Sequence, residues 1–371
     1  MKYSVKWNLM HKMKNNTSAT PLTIADMEFA TAPEIKDAMI SFINNYNLGY
    51  SEPKEKYSLS VVNWFRKRHN LNLNPDHLTQ SHGVIAALYN LIYNLSAPND
   101  GILIQPPVYG QFYNIIKNSN RKLIESPLVY QPDGSYKLDY KDLEQKLSQS
   151  KVMILCQPHN PIGKMYTEKE LTEIHNLATK HNVTIISDEI HADLTIQKPF
   201  VSYASINPNA ITCTSASKSF NLAALQTANI FIPNQYIRDK FRESNNKKGI
   251  HSPNILGYIA TEAAYTKAEY WLDEKINIIK ENYKLIKQKL NPTKLIISPL
   301  EATYLLWINY QNYQINENEF MNLLKNNDIF VSPGSSYGKK GEGYIRVNIA
   351  TPTTIIQQFI DNLLDVIIEL K

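Results

Sequence analysis

Apolar positions along the chain follow two rhythms. From about Asp76 onward, short and nearly continuous apolar runs alternate with longer stretches of helical spacing. GILIQ (101–105), VMILCQ (152–157), VTIIS (183–187) and the run at 211–214 are rich in branched aliphatic residues and end at polar or turn-forming residues. That pattern predicts buried strands. VIAALYNLIYNL (84–95) has the spacing of a helix with a buried face. TEKELTEIHNLATKH (167–181) predicts a helix opened by Thr167, with Glu170 placed to complete a capping box. Buried strands separated by helices predict an α/β domain around a mostly parallel sheet.

The texture changes after about Ile255. A long helical stretch runs over 259–290 and Pro292 ends it. Four strand-like runs follow, KLIIS, TYLLWINY, IFVSPG and YIRVNIA, and then a last helix over 353–370. This predicts a smaller α+β domain. The expected division is a large domain over 45–270, with 1–44 and 271–371 forming the small one. A chain of 371 residues is long enough for two cores.

Composition narrows the function classes. Hydrophobic residues make up 43% and charged residues 20%, the balance of a globular protein. The formal charge of +5 is spread out, and runs such as Arg66-Lys67-Arg68 and Lys247-Lys248 are short, which argues against a nucleic-acid partner. Cys156 and Cys213 sit in apolar runs, as buried thiols of a reducing compartment do. The chain opens without a long apolar run, and no apolar segment approaches the ~20 residues of a membrane helix. The expected location is the cytoplasm, with no membrane contact. The histidines are scattered without metal-ligand spacing, so no metal is expected.

Chemistry gathers where the predicted strands end. In open α/β sheets, ligands bind beyond the carboxyl ends of the strands. Gly83 leads the helix at 84; Tyr109 follows one strand; Asn160 and Gly163 follow the next. Asp188 and His191 follow VTIIS, and Ser215, Ser217 and Lys218 follow the run at 211–214. An aromatic face, an amide, a carboxylate, a lysine, hydroxyls and a glycine-led helix start suit pyridoxal phosphate. Its aldehyde condenses with a lysine amine. Its ring nitrogen needs a carboxylate, its ring face a stacking partner, and its phosphate a helix N-terminus. On that reading Lys218 holds the cofactor and its neighbouring serines bind phosphate.

The order Gly83, Tyr109, Asn160-Pro161, Asp188, Ser215-x-x-Lys218, Arg346 resembles the fold-type I, class I/II aminotransferase superfamily. Within it, six strings resemble the MalY/PatB branch of carbon–sulfur β-lyases: IADMEFATAP (24–33), LGYSEP (48–53), QPPVYGQF (105–112), SDEIHADL (187–194), SASKSFNLAAL (215–225) and YIRVNIATP (344–352). The resemblance implies that Lys218 holds the cofactor and moves protons, and that Asp188 pairs with the ring nitrogen. It implies that Asn160 bonds the ring oxygen, that Tyr109 stacks, and that His191 lies nearby. Backbone N–H groups of Gly83, Val84 and Ile85 would take the phosphate with Ser215 and Ser217. Arg346 would clamp the substrate carboxylate, with Tyr109 and Asn160 beside it. Tyr50 would reach the neighbouring subunit of a homodimer.

Two departures stand out. Gln226 occupies a place where the superfamily often has a phosphate-binding arginine. Gly110 stands where related lyases often carry a large residue, which predicts a wider pocket. The expected activity is α,β-elimination from L-cystathionine and other S-substituted L-cysteines, giving a thiol, pyruvate and ammonia. The alternative is an aminotransferase acting on an amino acid and a keto acid, which uses the same lysine.

Overall fold

The computed structural model describes residues 3–14 and 19–370. Strands β1 (Leu78–Ser81), β2 (Gly101–Ile104) and β3 (Lys122–Glu125) come first. A short ribbon follows, β4 (Val129–Tyr130) with β5 (Tyr136–Lys137). Then come β6 (Val152–Cys156), β7 (Thr184–Asp188), β8 (Ile211–Thr214) and β9 (Ala228–Phe231). Seven of these strands form one sheet in the order β1-β9-β8-β7-β6-β2-β3. β9 is antiparallel to both neighbours, and every other adjacent pair is parallel, so β9 alone runs against the rest.

Alternation within the strands explains the layers. Ile102, Ile104, Ile154 and Ile186 point to one side and pack with Leu88, Leu91 and Phe112 from the helices Val84–Leu95 and Gly110–Asn118. Leu103, Met153, Leu155 and Ile185 point to the other side and meet Leu143, Leu171 and Ile174. A parallel sheet covered on both faces needs such runs without polar gaps. Thr167 accepts from the Glu170 N–H, and Glu170 accepts from the Thr167 N–H, so the expected capping box is formed. Cys156 and Cys213 are buried free thiols.

A second sheet lies later in the chain: β10 (Ile296–Ile297), β11 (Leu305–Asn309), β12 (Ser332–Pro333) and β13 (Tyr344–Asn348). Its order is β10-β11-β13-β12, with every pair antiparallel. Helices Glu269–Leu290 and Thr353–Glu369 pack against each other beside it. The helical stretch expected over 259–290 is in fact two helices, Ile255–Lys267 and Glu269–Leu290, hinged at Ala268 (φ −112°, ψ 19°). The paired parts of KLIIS and IFVSPG are only two residues each. The segment at 22–28 runs along this sheet: the Leu22 N–H donates to the Phe330 carbonyl and the Glu28 N–H to that of Ala350. No described helix is long and apolar enough to cross a membrane.

Candidate active site

The parallel strands bring their carboxyl ends to one edge, and a cleft of about 1420 Å³ opens there. Gly83, Val84, Ile85, Tyr109, Asn160, Asp188, His191, Ser217, Lys218 and Arg346 all line it. Residues scattered from 83 to 218 therefore face one space through the topology of the first sheet, and Arg346 joins them from the second.

Asp188 ends β7 and is buried. Burial pushes its carboxyl up to about 7, against a bond from the Ile190 N–H and the nearby Lys218 charge, which favour ionisation. Lys218 sits in the short helix Ala216–Ser219, and its Nζ donates to the Ala25 carbonyl at 2.7 Å. Burial lowers the amine to about 8, helped by Arg346 and opposed by Asp26 and Asp188. Lysine and aspartate are thus both drawn toward neutral pH, where proton transfer is easiest. His191 is buried edge-on to Tyr304, with ring centroids 6.1 Å apart, and its Nδ1 has no partner. Burial, then the Lys218 and Arg346 charges, lower it to about 3, so the ring is neutral.

Arg346, on β13, crosses to the cleft from the second sheet. It donates to Asn160 Oδ1 at 3.1 Å and to the Thr23 carbonyl at 2.8 Å, and lies 4.9 Å from the Tyr337 ring centroid. Its Nε has no partner, and no carboxylate among the described residues pairs with it. Tyr109 is half-buried at the mouth of the helix Gly110–Asn118, edge-on to Phe112 at 5.9 Å. Gln226 also lines the cleft, in a left-handed conformation (φ 47°).

Three expectations change here. Gly83 donates its own N–H to the Ser81 carbonyl at 2.8 Å, so that N–H does not face an anion. What Gly83 supplies is φ +87°, which turns the chain so that the free first-turn amides of the helix at 84, Val84 and Ile85 among them, open on the cleft. Ser215 lies behind the cleft wall. Its single hydroxyl proton goes to the Thr227 carbonyl at 2.6 Å, and its oxygen accepts from the Ser217 N–H. Ser217, 2.9 Å away, is the hydroxyl that faces inward. Gly110 does not widen the pocket: a Cβ there would lie 2.5 Å from the Ser336 carbonyl oxygen, so close backbone approach requires glycine. Tyr50 is fully exposed and lies outside this cleft. The Ala25 carbonyl, Tyr304 and Tyr337 escaped the sequence reading. The string around Ala25 carries part of the resemblance, but a carbonyl contact leaves no side-chain signature.

A sequence model described as aminotransferase class I and II matches residues 18–363. The chain belongs to that family. Within the family, cystathionine beta-lyase PatB of Bacillus subtilis (strain 168) is 35% identical over 95% of this chain and 94% of that protein. Protein MalY of Escherichia coli (strain K12) is 30% identical over 98% of this chain and 96% of that protein. Among solved structures, cystalysin from Treponema denticola, which contains a pyridoxal 5′-phosphate cofactor, has a TM-score of 0.96 at 31% identity. That alignment covers 100% of this chain and 97% of the cystalysin chain.

The donor set fits such a cofactor. A helix start with free amides and no acidic residue in its first turn suits a phosphate. A buried carboxylate with one backbone donor can take a ring N–H, and a guanidinium with no carboxylate partner among the described residues can bind one.

Proposed function

We propose that the cleft holds pyridoxal 5′-phosphate and that the protein is a carbon–sulfur β-lyase acting on L-cystathionine and other S-substituted L-cysteines. One observation carries the reading: a lysine amine, a buried carboxylate and a guanidinium without an acidic partner share a single cleft. The name of the 35%-identical relative, a cystathionine beta-lyase, supports elimination over amino transfer.

Bound pyridoxal phosphate supplies an aldehyde for amines and a ring that accepts the electron pair left when Cα loses its proton. The chain supplies the rest. Val84 and Ile85 amides and the Ser217 hydroxyl hold the phosphate. Asp188 keeps the ring nitrogen protonated; Asn160 bonds the ring oxygen; Tyr109 covers the ring face. Neutral His191 adds a wall without charge. Arg346 grips the substrate carboxylate and so aims Cα at Lys218. The Lys218 amine would serve as the base that removes the Cα proton. The Cβ–S bond breaks, sulfur leaves with the bonding pair, and it takes the proton that Lys218 holds. One water then completes the products: a thiol, pyruvate and ammonia.

In this reading the molecule works as a homodimer, with Tyr50 completing the neighbouring cleft. Residues 45–270 form the cofactor domain and 1–44 with 271–371 the smaller one. The test is pyruvate release from L-cystathionine by cofactor-loaded protein with no keto acid added, with S-alkyl cysteines run in parallel. Catalytic pyruvate with matching thiol is expected. Amino transfer to a keto acid without pyruvate would overturn the lyase assignment.

A further inference from the structure

Five consecutive backbone carbonyls, from Thr23 to Met27, are each held by a side chain from elsewhere in the chain. Arg346 takes that of Thr23, and Asn348 those of Ile24 and Asp26, at 2.8, 2.7 and 2.6 Å. Lys218 and Tyr304 share that of Ala25 at 2.7 and 3.0 Å, and Asn221 takes that of Met27 at 3.0 Å. Lys6 adds a bond to the Asp26 carbonyl at 3.1 Å.

Lys218 and Arg346 already have roles in the reaction. Lys6 has none, yet it is the most confined lysine in the group. It comes from the helix Val5–Met13, is 2% exposed, and stands 2.5 Å from Asp26 Oδ1 and 2.6 Å from Glu28 Oε1. The Trp7 indole N–H, next on the helix, donates to the same Glu28 oxygen at 3.1 Å. A buried ammonium meeting two carboxylates of one short segment fixes that segment, because removing it strands both acids.

We propose that Lys6 is a positioning residue: through Asp26 and Glu28 it holds the 23–28 segment so that the Ala25 carbonyl and the Asp26 carboxylate keep a fixed stance against the Lys218 amine. The inference rests on reading Lys218 as the reacting lysine. Five groups face that amine: Arg346 from β13, Asp188 at the end of β7, His191 in the following turn, Tyr304 before β11, and Asp26. Asp26 is the one that Lys6 neutralises. With Lys6 the triad carries one net negative charge; without it, two. Extra negative charge favours the ammonium form of Lys218.

The test uses the full chain as wild type, Lys6→Met, Lys6→Arg and Asp26→Asn. Two quantities are read: hydrogen–deuterium exchange of the 22–29 backbone without cofactor, and the pH midpoint of the visible absorbance of the cofactor-loaded protein. In Lys6→Met, exchange should rise about tenfold as the segment opens locally. The midpoint should move up by roughly half a pH unit. Lys6→Arg keeps the charge and should return both toward wild type. Asp26→Asn removes a carboxylate and should move the midpoint down. A folded Lys6→Met protein with wild-type exchange and midpoint would overturn the proposal. Should Lys6→Met fail to fold, an unmoved midpoint in Asp26→Asn overturns it. If wild type gains no visible band with cofactor, the reading of Lys218 falls, and the exchange data alone decide whether Lys6 holds the segment.

Discussion

A guanidinium in a buried site needs an anion close by, and among the described residues Arg346 meets an amide oxygen, a carbonyl and the Tyr337 ring but no carboxylate. Lysine at that position keeps the charge and loses the two-pronged fork. Arg346→Lys is therefore expected to raise KM for L-cystathionine roughly 10- to 100-fold, with a smaller loss in kcat. Initial rates across substrate concentration check this, and an unchanged KM would count against a carboxylate at Arg346. Asp188 gives a prediction with a definite sign. Its folded-state value of about 7 lies above the ordinary 3.8, so the folded protein binds this proton more tightly than the unfolded chain. Stability from this group is full below about pH 4 and is lost as pH rises through about 7. Without cofactor, the thermal midpoint of wild type should fall across that window more steeply than that of Asp188→Asn. Parallel melting curves for the two proteins would contradict the assignment. At this scale the sequence was most legible where a residue type is rare for its surroundings. A lysine among serines at a strand end stands out; the N–H of Gly83, already committed to Ser81, does not.

Among the elements, the turn at Gly110 carries the sharpest expectation. A methyl there would press on the Ser336 carbonyl. Gly110→Ala should destabilise the protein by about 1–3 kcal/mol, read from denaturant midpoints. A stable variant with merely altered substrate ranking would instead favour the pocket-width idea. Strands β2, β6, β7 and β8 were legible because burial on both faces demands unbroken apolar runs. The break at Ala268 was not, since alanine is the best helix former and marks no boundary. Strands β10 and β12 lie within the expected runs but are shorter, for a related reason: apolar letters extend beyond the two residues that pair.

For the whole molecule, the exposed ring of Tyr50 is the feature to test. If it completes the partner's cleft, a mixture of Tyr50→Ala and Lys218→Ala proteins, unfolded and refolded together, builds hybrids with one intact site. Random pairing restores about a quarter of wild-type activity, a value neither parent reaches alone. Activity no higher than the average of the parents would place Tyr50 outside the reaction. The segment at 22–28 has a consequence of another kind. Its backbone partners are Phe330, Asn348 and Ala350, and Arg346 grips the carbonyl beside them. On a ribosome Thr23 emerges 323 residues ahead of Arg346 and waits for that partner until the intervening chain has been read. Contacts spanning so much sequence form slowly and leave apolar surface open meanwhile. A nascent chain halted before β13 would carry its lysine-bearing turn without the Arg346, Asn348 and Ala350 contacts that help seat the strap above it. A stop codon just before β13 therefore loosens residues 22–28 as well as removing the residues it cuts away.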